Sequence, residues 1–301
     1  MMSYPLLYII VLNHSHREDT NSCLATLLGS NYENFRIILL DSSSAVEAVQ
    51  EFRSEDPRVQ TLQLTKNLGY AGNNNVGIQI ALDQGAEWVF ILNNDTVLDP
   101  DCLSLLIENG ESDRGVGIVG PMVYHFDQPD IIQSAGGILG KNWQSIHAGI
   151  NQRDTGQFKS VRQVDWISGC AILVRRALIE DVGALDPDYF LYWEEIEWCL
   201  RARREGWKIL HIPQAKLWHK GVNQDYQPRP YVTYYMTRNF LHTLFKHNAP
   251  IAVRLFALFN VFRTLVSWSI KPQWRFKREH RDAMWKGLID FLHRRLGSMP
   301  L

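Results

Sequence analysis

Short apolar runs alternate with helical spacing along the first hundred residues of the chain. The runs are continuous rather than alternating, which is typical of strands buried on both faces of a sheet. Helical spacing of apolar residues follows each of them, and Gly29 closes the first helical stretch. This alternation predicts an α/β fold in which a mainly parallel central sheet is flanked by helices. The predicted strands lie at residues 6–12, 35–40, 59–64 and 88–92, and helices are expected at 18–28, after Ser44, after Gly69 and from Asp99-Pro100.

Polar residues follow these predicted strands where the apolar runs stop. Asn13 ends the first strand, Asp41 ends the second, and Asn93-Asn94-Asp95 ends the fourth. In open α/β sheets ligands bind outside the carboxyl ends of the strands. These side chains are therefore expected to converge on one crevice.

The second half of the chain has a different pattern. Residues 133–156 are rich in Gly and polar side chains and are expected to form loops, whereas 164–174 and 190–204 are expected to be ordered, the latter as a helix. Two short extended segments are predicted at 210–213 and 215–219. We expect one main domain over 1–225, with a change of character at about residue 120, followed by a helical C-terminal extension over 226–301.

Composition agrees with a globular protein, since 46% of the 301 residues are hydrophobic and 21% are charged. The four cysteines are scattered without a C-x-x-C pair, which argues against both a disulfide framework and a thiolate zinc site. The first apolar run is short and has no basic region before it, unlike a signal peptide. We therefore expect a cytoplasmic location.

Charge is distributed unevenly along the chain. From Arg238 onward there are 12 basic and 3 acidic residues, although the net charge of the whole chain is -1. The apolar segment 251–270 contains Arg254 and Arg263, which disfavours a spanning helix and favours an interfacial one. We hypothesise that 251–278 makes peripheral contact with an anionic membrane surface. No nucleic-acid-binding module is evident, so a nucleic-acid partner is not expected.

Asn93-Asn94-Asp95 has two interpretations. A carboxylate at a strand end can hold a divalent cation that bridges diphosphate oxygens. The same residue types also favour a simple turn. His219, between Trp218 and Lys220, could add an imidazole to a metal or a donor to phosphate, although an isolated histidine often does neither.

Glu194 and Glu195 follow the aromatic run 189–193 and are also open to two interpretations. They could be catalytic carboxylates beside rings that stack on a sugar. They could also be there because acidic residues favour a helix N-terminus. Glu197 lies four residues before Arg201, a spacing that favours a structural ion pair.

The segment Asn67-Leu-Gly-Tyr-Ala-Gly-Asn-Asn-Asn75 looks like a glycine-rich phosphate loop. It has neither the G-x-G-x-x-G pattern of dinucleotide-binding folds nor the G-K-[ST] of P-loops. A dehydrogenase or a P-loop enzyme is therefore disfavoured.

Taken in order, these segments resemble the inverting glycosyltransferases of family 2, which have the GT-A nucleotide-diphospho-sugar transferase fold, and most of all the rhamnosyltransferase-like branch. The resemblance covers nearly the whole chain and implies that 1–225 is the catalytic domain, with a nucleotide-sugar part at about 1–120 and an acceptor part at about 121–225. It is carried by Val11-Leu-Asn-His14, Leu40-Asp-Ser-Ser43, 67–77, Leu92-Asn-Asn-Asp-Thr96, 168–176, Gly183-Ala-Leu-Asp186, 192–201, Trp218-His-Lys-Gly221, Arg238-Asn239 and 287–297.

The resemblance implies a role for each matched residue. Asp41 contacts the nucleotide base, Asp95 binds Mg2+ or Mn2+ with help from His219, and Glu195 is the general base beside Glu194. The nucleotide side further includes Asn13, Asn67, Gly69, Asn75 and Asn94, and the donor and acceptor side includes Trp166, Gly169, Tyr192 and Trp193. The chain departs from the family pattern in having Glu at the base position, a single carboxylate in the metal motif and Asp-Ser-Ser after the second strand.

The implied reaction moves a sugar from a nucleotide-diphospho-sugar, such as dTDP-rhamnose or a UDP-sugar, to a glycan or lipid-linked glycan acceptor with inversion. The setting is the synthesis of bacterial cell-surface polysaccharide or glycolipid. Two rivals stay open. A sugar nucleotidyltransferase is disfavoured because its N-terminal glycine-rich, basic activating loop is absent, and a degenerate nucleotide- or glycan-binding protein differs in binding its donor without consuming it.

Overall fold

The computed structural model describes residues 4–13, 17–42, 54–221 and 227–300. A ten-stranded mixed sheet and a separate two-stranded hairpin lie within these ranges. The strands are β1 Leu7–Asn13, β2 Phe35–Asp41, β3 Val59–Gln63, β4 Trp88–Asn93, β5 Thr96–Leu98, β6 Val116–His125, β7 Ile132–Ser134, β8 Gly137–Leu139, β9 Ser145–His147, β10 Arg162–Gln163, β11 Ala171–Arg175 and β12 Lys208–His219.

Helices cover the sheet and form the C-terminal region. They are α1 Arg17–Leu28, α2 Gly69–Asp83, α3 Cys102–Glu111, α4 Arg176–Val182, α5 Glu194–Arg204, α6 Pro230–Lys246, α7 Ile251–Ile270 and α8 Arg278–Leu292. Short 3-10 helices occupy Pro187–Tyr189 and Pro272–Lys277. The predicted α/β sheet and helical C-terminal extension are both confirmed. The helix predicted after Ser44 lies outside the described residues.

The first half of the sheet is parallel, in the order β3-β2-β1-β4. Its strands have continuous apolar runs because both faces are covered. Ile9 on β1 points to a core shared with α1 and α3, whereas Ile10 points to a core shared with α2 and α5. The four carboxyl ends consequently lie at one edge of the sheet.

The second half of the sheet is mixed, so the predicted parallel arrangement does not extend through it. β11 runs antiparallel between β4 and β6, while β12 runs parallel to β6. Because β11 is antiparallel to β4, its first residues lie beside the carboxyl end of β4. The backbone N–H of Asn93 donates to the carbonyl of Cys170 at 2.9 Å.

Three predicted boundaries change in the structure. The expected loop at 133–156 contains β7, β8 and β9, and the two segments at 210–219 form the single strand β12 with a register shift between Ile212 and Lys216. Helix α3 begins at Cys102 rather than at Asp99, because the Asp99 carboxylate accepts the N–H of Asp101 in a preceding turn.

The predicted helix at 190–204 begins only at Glu194. Phe190, Tyr192 and Trp193 have φ of 60°, 67° and 78°, values that are not helical. The two adjacent glutamates are therefore placed in the first turn of α5, directly after a tightly turned segment.

Candidate active site

The polar residues at the carboxyl ends of β1, β2 and β4 meet, as the sequence predicted. The side-chain nitrogen of Asn13 donates to the carboxylate of Asp41 at 3.1 Å, and the side-chain oxygen of Asn13 accepts from the hydroxyl of Thr20 on α1 at 3.1 Å. Asn94 donates to Thr20 at 2.8 Å and to Asn13 at 3.3 Å. This network fixes the amide and carboxylate groups that face the edge of the sheet. Residues 14–16 and 43–44, which follow Asn13 and Ser42 in the predicted polar loops, lie outside the described residues.

Asp95 and His219 form the second part of the site. The Nε2 atom of His219 lies 3.1 Å from a carboxylate oxygen of Asp95 and 3.3 Å from the amide nitrogen of Asn93. Its Nδ1 atom lies 2.9 Å from the Oε1 atom of the buried Gln133, an acceptor that fixes the proton on Nδ1. Nε2 is thereby left as a lone-pair donor beside a carboxylate, which is an arrangement suited to a divalent cation.

Gly221 keeps open the space above this pair. A Cβ atom at Gly221 would lie 2.3 Å from Asp95 Oδ2 and 3.3 Å from His219 Nε2. The chain is held there by the backbone N–H of Lys220, which donates to the carbonyl of Asp95 at 2.9 Å. The absence of a side chain at Gly221 leaves room for an ion and its other ligands.

The segment at residues 67–75 forms the start of α2. Asn67 accepts the N–H of Gly69 at 2.9 Å, which shapes the turn into the helix. Gly69 has φ of +79°, and a Cβ there would lie 2.3 Å from the carbonyl oxygen of Phe190. This glycine therefore lets α2 approach the segment that precedes Glu195.

Asn75 binds the backbone of Leu185 through its side chain. Its amide nitrogen donates to the carbonyl of Leu185 at 2.7 Å, and its carbonyl oxygen accepts the N–H of the same residue at 3.1 Å. The amide group is thus used to fasten α2 to the chain before α5. Its predicted place in the nucleotide pocket stays a prediction.

Tyr70 and Gly169 connect the strand-end network with the paired glutamates. The Tyr70 hydroxyl donates to the carbonyl of Gly169, and the Cα of Gly169 faces Glu195, since a Cβ there would lie 3.7 Å from the Glu195 side chain. Burial and the charges of Glu194, Glu195, Cys170 and Asp95 raise the pKa of Tyr70 well above its usual value. The Tyr70 hydroxyl and the Glu195 side chain therefore both lie beside Gly169.

The paired glutamates have raised pKa values for related reasons. Burial raises the pKa of Glu195 to about 7, although backbone N–H groups at Glu195, Ile196 and Gly169 oppose the rise. Burial and the neighbouring Glu195 charge raise the pKa of Glu194 well above the usual range. Two adjacent buried carboxylates disfavour each other's ionisation, and backbone N–H groups stabilise the charged form of Glu195.

Asn239 holds the turned segment before Glu194. The single side-chain nitrogen of Asn239 lies within 2.9 Å of the carbonyl oxygens of Tyr189, Leu191 and Tyr192. Residues with positive φ are costly unless the surroundings determine them. Asn239 therefore positions the first turn of α5 from the neighbouring helix α6.

Two of the aromatic side chains expected to bind a sugar are packed in the protein core. Trp193 is 3% exposed and its ring centroid lies 5.0 Å from that of Phe240, while Trp166 is 2% exposed and lies edge-on to His147. Both rings are packed in the protein, and their predicted contact with the donor or acceptor stays a prediction. Tyr192 is partly exposed and stays a proposal for substrate contact.

Glu197 has the structural role that its spacing predicted. It is fully buried and pairs with Arg201 at 2.9 Å, Lys246 at 2.7 Å and His247 at 3.0 Å. Burial alone would raise its pKa, but hydrogen bonding from His247 and the charges of Arg201 and Lys246 lower the pKa of Glu197 to about 2. This carboxylate ties α5 to α6 and takes no part in proton transfer.

A separate group of potential metal ligands consists of Asp186, Asp188 and His242. Asp186 is already paired with Lys246 at 2.5 Å and accepts the N–H of Asp188. The positive charge of Lys246 neutralises the Asp186 carboxylate, which would otherwise attract a metal cation. Although the sequence Asp186-Pro-Asp188 matches a D-x-D pattern, it therefore forms a structural turn.

Four residues of the site were not singled out from the sequence: Tyr70, Gln133, Gly221 and Asn239. Tyr70, Gly221 and Asn239 fall within motifs that carried the resemblance. Gln133 lies in a segment expected to be a loop, and its contact with His219 spans 86 residues. Only the folded arrangement reveals that contact.

The fold and the site define an α/β transferase for nucleotide-linked substrates. Comparison with solved structures agrees, since a GT-A enzyme, GalNAc-T7 solved with UDP, GalNAc and Mn2+, superimposes with a TM-score of 0.66 at 12% identity, covering 97% of this chain and 58% of the other. The fold is thus the GT-A fold.

Sequence comparison gives the family. The family model described as glycosyl transferase family 2 matches residues 8–183. The chain is 24% identical over 262 residues to the N-acetylglucosaminyl-diphospho-decaprenol L-rhamnosyltransferase of Mycobacterium tuberculosis, covering 81% of this chain and 85% of that relative. It is 24% identical over 298 residues to the dTDP-rhamnosyl transferase RfbF of Shigella flexneri, covering 94% and 95%. The chain belongs to glycosyl transferase family 2 and is a glycosyltransferase that uses a nucleotide sugar.

Proposed function

We propose that this enzyme transfers L-rhamnose from a nucleoside-diphospho-sugar to an acceptor hydroxyl with inversion, and that the reaction depends on a divalent cation. The observation that carries the proposal is that the Asp95–His219 pair lies at the carboxyl end of β4, and that Glu195 lies beside Gly169, next to Cys170, which is hydrogen-bonded to that strand end. The choice of sugar is supported by the two rhamnosyltransferases similar to the chain along most of its length.

Glu195 has the properties of a general base. An acceptor hydroxyl hardly ionises at neutral pH, so its proton must be removed as its oxygen bonds to the anomeric carbon. The Glu195 carboxylate takes this proton while the bond from the anomeric carbon to the diphosphate oxygen breaks and the nucleoside diphosphate departs. A single displacement of this kind, with attack opposite to the leaving group, inverts the anomeric centre.

Glu194 supports the base. Burial and the neighbouring Glu195 charge raise the pKa of Glu194 well above its usual range, and we propose that Glu194 keeps its proton while Glu195 is ionised. The buried pair then carries one negative charge instead of two, which avoids the cost of two adjacent carboxylates. Glu195 is free to cycle between its charged and neutral forms during transfer.

Asp95 and His219 fit a divalent cation because a carboxylate oxygen and an imidazole lone pair point into the space left by Gly221. A bound Mn2+ or Mg2+ would stabilise the charge that develops on the leaving diphosphate. The imidazole favours Mn2+, since magnesium prefers oxygen ligands. The presence of Mn2+ with UDP in the structurally similar GalNAc-T7 supports this choice.

On the nucleotide side, Asp41, Asn13 and Asn94 are proposed to contact the donor at the strand ends. Asn67 and Gly69 shape the turn beside it. The acceptor is proposed to be a glycan or lipid-linked glycan in cell-surface polysaccharide synthesis, in keeping with the names of the relatives. A cytoplasmic location is supported by Cys23, Cys102, Cys170 and Cys199, which are all free thiols.

Replacement of Glu195 by Gln tests the proposal. The variant keeps the shape of the site but loses the proton acceptor, so transfer should fall by about 10²–10⁴-fold while nucleotide binding stays unchanged. The measurement is release of nucleoside diphosphate in the presence of acceptor, with the surface variant Glu108→Gln as control. Near-normal transfer by Glu195→Gln contradicts the assignment of the base, and donor binding without any turnover by the unaltered chain indicates a degenerate binding protein.

A further inference from the structure

One face of α7 is an exposed apolar stripe. Its residues recur every three or four positions along a helix about 30 Å long, which places them on the same side. Phe259 and Phe262 at its centre are 59% and 60% exposed. The stripe consists of Ile251, Leu255, Phe259, Phe262, Val266 and Ile270.

The opposite face of α7 packs on the protein. Val253 and Ala257 are buried in a cluster with Leu241 and Leu244 of α6. Within the described residues, α7 is the one helix long and apolar enough to cross a membrane, with 22% of the relevant stretch buried. Since one face is fixed to α6 and the helix carries Arg254 and Arg263, a position along a membrane surface fits better than a position across it.

A basic pocket lies at the C-terminal end of the stripe. It has a volume of about 430 Å³ and is lined by Lys271, Arg275, Arg278 and Arg281, together with Trp268 at the end of α7. Arg281 is paired with Asp282. In the part of the chain that the structure describes, no carboxylate pairs with the other three, so their charges are available to an anion.

The apolar stripe and the basic pocket together indicate what kind of partner binds this surface. Exposed apolar patches of this extent mark binding surfaces. A second copy using the same face would bring like charges together, because α7 contains no acidic residue and ends in the basic pocket. An anionic phospholipid surface satisfies both parts, since acyl chains accept the apolar side chains and headgroup phosphates accept guanidinium groups.

We propose that the stripe of α7 and the basic pocket beside it bind the surface of a bilayer that contains anionic phospholipid. The helix lies in the plane of the interface with Phe259 and Phe262 among the lipids. Lys271, Arg275 and Arg278 contact the headgroup phosphates. This binding is independent of the sugar and of the nucleotide.

The surface is linked to the site through Phe240. Its ring contacts Trp193, which precedes the paired glutamates, and it also lines a cavity of about 160 Å³ together with Phe256 and Ala257 of α7. Bilayer binding therefore brings the acceptor side of the site close to the lipids. This closeness of the acceptor side to the bilayer rests on the proposed function, and it would give the enzyme access to an acceptor carried on a lipid.

Co-sedimentation of the full chain with vesicles tests the proposal. Vesicles of phosphatidylcholine and phosphatidylglycerol in equal parts should bind the protein, and vesicles of phosphatidylcholine alone should bind it at least about tenfold less, because each basic residue near an anionic surface contributes roughly a factor of five. Arg275→Gln with Arg278→Gln should lower the partition coefficient more than about tenfold. Phe259→Ser with Phe262→Ser should do the same by removing apolar area.

Matched controls separate these effects from general damage. Arg114→Gln with Lys159→Gln removes two exposed charges elsewhere, and Ile138→Ser with Ile150→Ser removes two exposed apolar side chains elsewhere. Both controls should bind anionic vesicles normally. Nucleotide titration in vesicle-free solution shows whether each variant is folded. It also tests the proposed nucleotide site independently of membrane binding, so the two proposals can fail separately.

Two results would overturn the inference. One is equal binding of both vesicle types by the unaltered chain and by the variants. The other is a dimer in vesicle-free solution that dissociates on Phe259→Ser with Phe262→Ser while no vesicle is bound, since this result assigns the stripe to a second copy of the chain.

Discussion

Glu194 and Glu195 are chemically identical neighbours, and their surroundings assign them different protonation states. Both are buried to some degree, but backbone N–H groups stabilise the charged form of Glu195. Glu194 is deeper, at 4% exposed, and also faces the charge of its neighbour. The separation of the two pKa values identifies which carboxylate can accept a proton near neutral pH.

The raised pKa of Glu195 predicts the pH dependence of transfer. Only the ionised form is a base, so kcat/KM should rise about tenfold per pH unit below pH 7 and level off above it. The measurement is initial transfer rate across pH 5.5 to 9 at low donor concentration. Glu108→Gln should show the same profile, and a flat profile through pH 7 would argue against Glu195 as the base.

The raised pKa of Glu195 also predicts that the stability of the folded protein falls as pH rises, whereas transfer increases. A carboxyl whose pKa is higher in the folded state binds more protons when folded, so it costs stability as pH rises from about 4.5 to 7. Glu195→Gln cannot ionise and should therefore be more stable than the unaltered chain at pH 8, by about 1–3 kcal/mol, and nearly equal to it at pH 4.5. Thermal unfolding at the two pH values measures this difference.

The segment between the 3-10 helix and α5 shows how one element positions another. Three of its residues adopt positive φ, and Gly69 of α2 packs against its backbone. Asn239 on α6 donates to the carbonyl groups of Leu191 and Tyr192 within it and to that of Tyr189 just before it, and Arg238 donates to the carbonyl of Tyr189 at 3.1 Å. The helical extension therefore holds the segment that leads into the paired glutamates.

Replacing Asn239 by Ala tests this positioning role. Loss of the carbonyl contacts should lower the free energy of unfolding by about 1–3 kcal/mol and allow the segment before Glu195 to relax. We expect kcat to fall about tenfold or more while the nucleotide Kd is unchanged, because the strand-end network is untouched. Transfer kinetics and nucleotide titration measure the two effects separately.

Asn109→Ala is the control for this variant, since Asn109 donates only to Leu105 within its own helix. It should leave kcat unaltered. If Asn239→Ala lowered stability and left kcat intact, Asn239 would be structural without positioning Glu195.

The sequence predicts local elements well where burial on two faces leaves a clear pattern. The strands 7–13, 35–41 and 88–93 follow continuous apolar runs, and their polar ends meet because parallel strands share one edge. The antiparallel insertion of β11 and the late start of α5 were not predicted. Both depend on contacts distant in sequence, such as those of Asn239 with residues 189–192, which periodicity does not record.

The site was predictable to the extent that its residues carry a motif. Asp95 and His219 are 124 positions apart, and the structure brings them within 3.1 Å through the pairing of β5 with β12. Asn75, Trp166 and Trp193 were assigned to substrate from their residue type or motif position, yet packing and backbone contacts use them. Residue type alone does not distinguish a buried ring from an exposed one.

At the scale of the whole molecule, the proposed nucleotide and cation groups lie on a different part of the chain from the proposed base. The parallel half of the sheet and β12 carry the former, whereas α5 carries the paired glutamates, α6 holds the segment before them, and α7 carries the exposed apolar stripe. Glu197 fastens α5 to α6, because it pairs with Arg201 on α5 and with Lys246 on α6. On the proposed function, the sugar acceptor would bind between the nucleotide site and the helical extension.

Calorimetric titration of the full chain with dTDP, UDP and GDP, each with and without Mn2+ or Mg2+, tests the proposed nucleotide and cation site. We expect that one nucleotide, dTDP, binds with a divalent cation and at least about tenfold more weakly without it. Asp95→Asn and Gly221→Ala should abolish the cation dependence, because one removes the carboxylate charge and the other fills the space beside it, whereas Gly140→Ala should leave it intact. Binding that is indifferent to the cation and to both variants, or no binding of any nucleotide, would contradict the account.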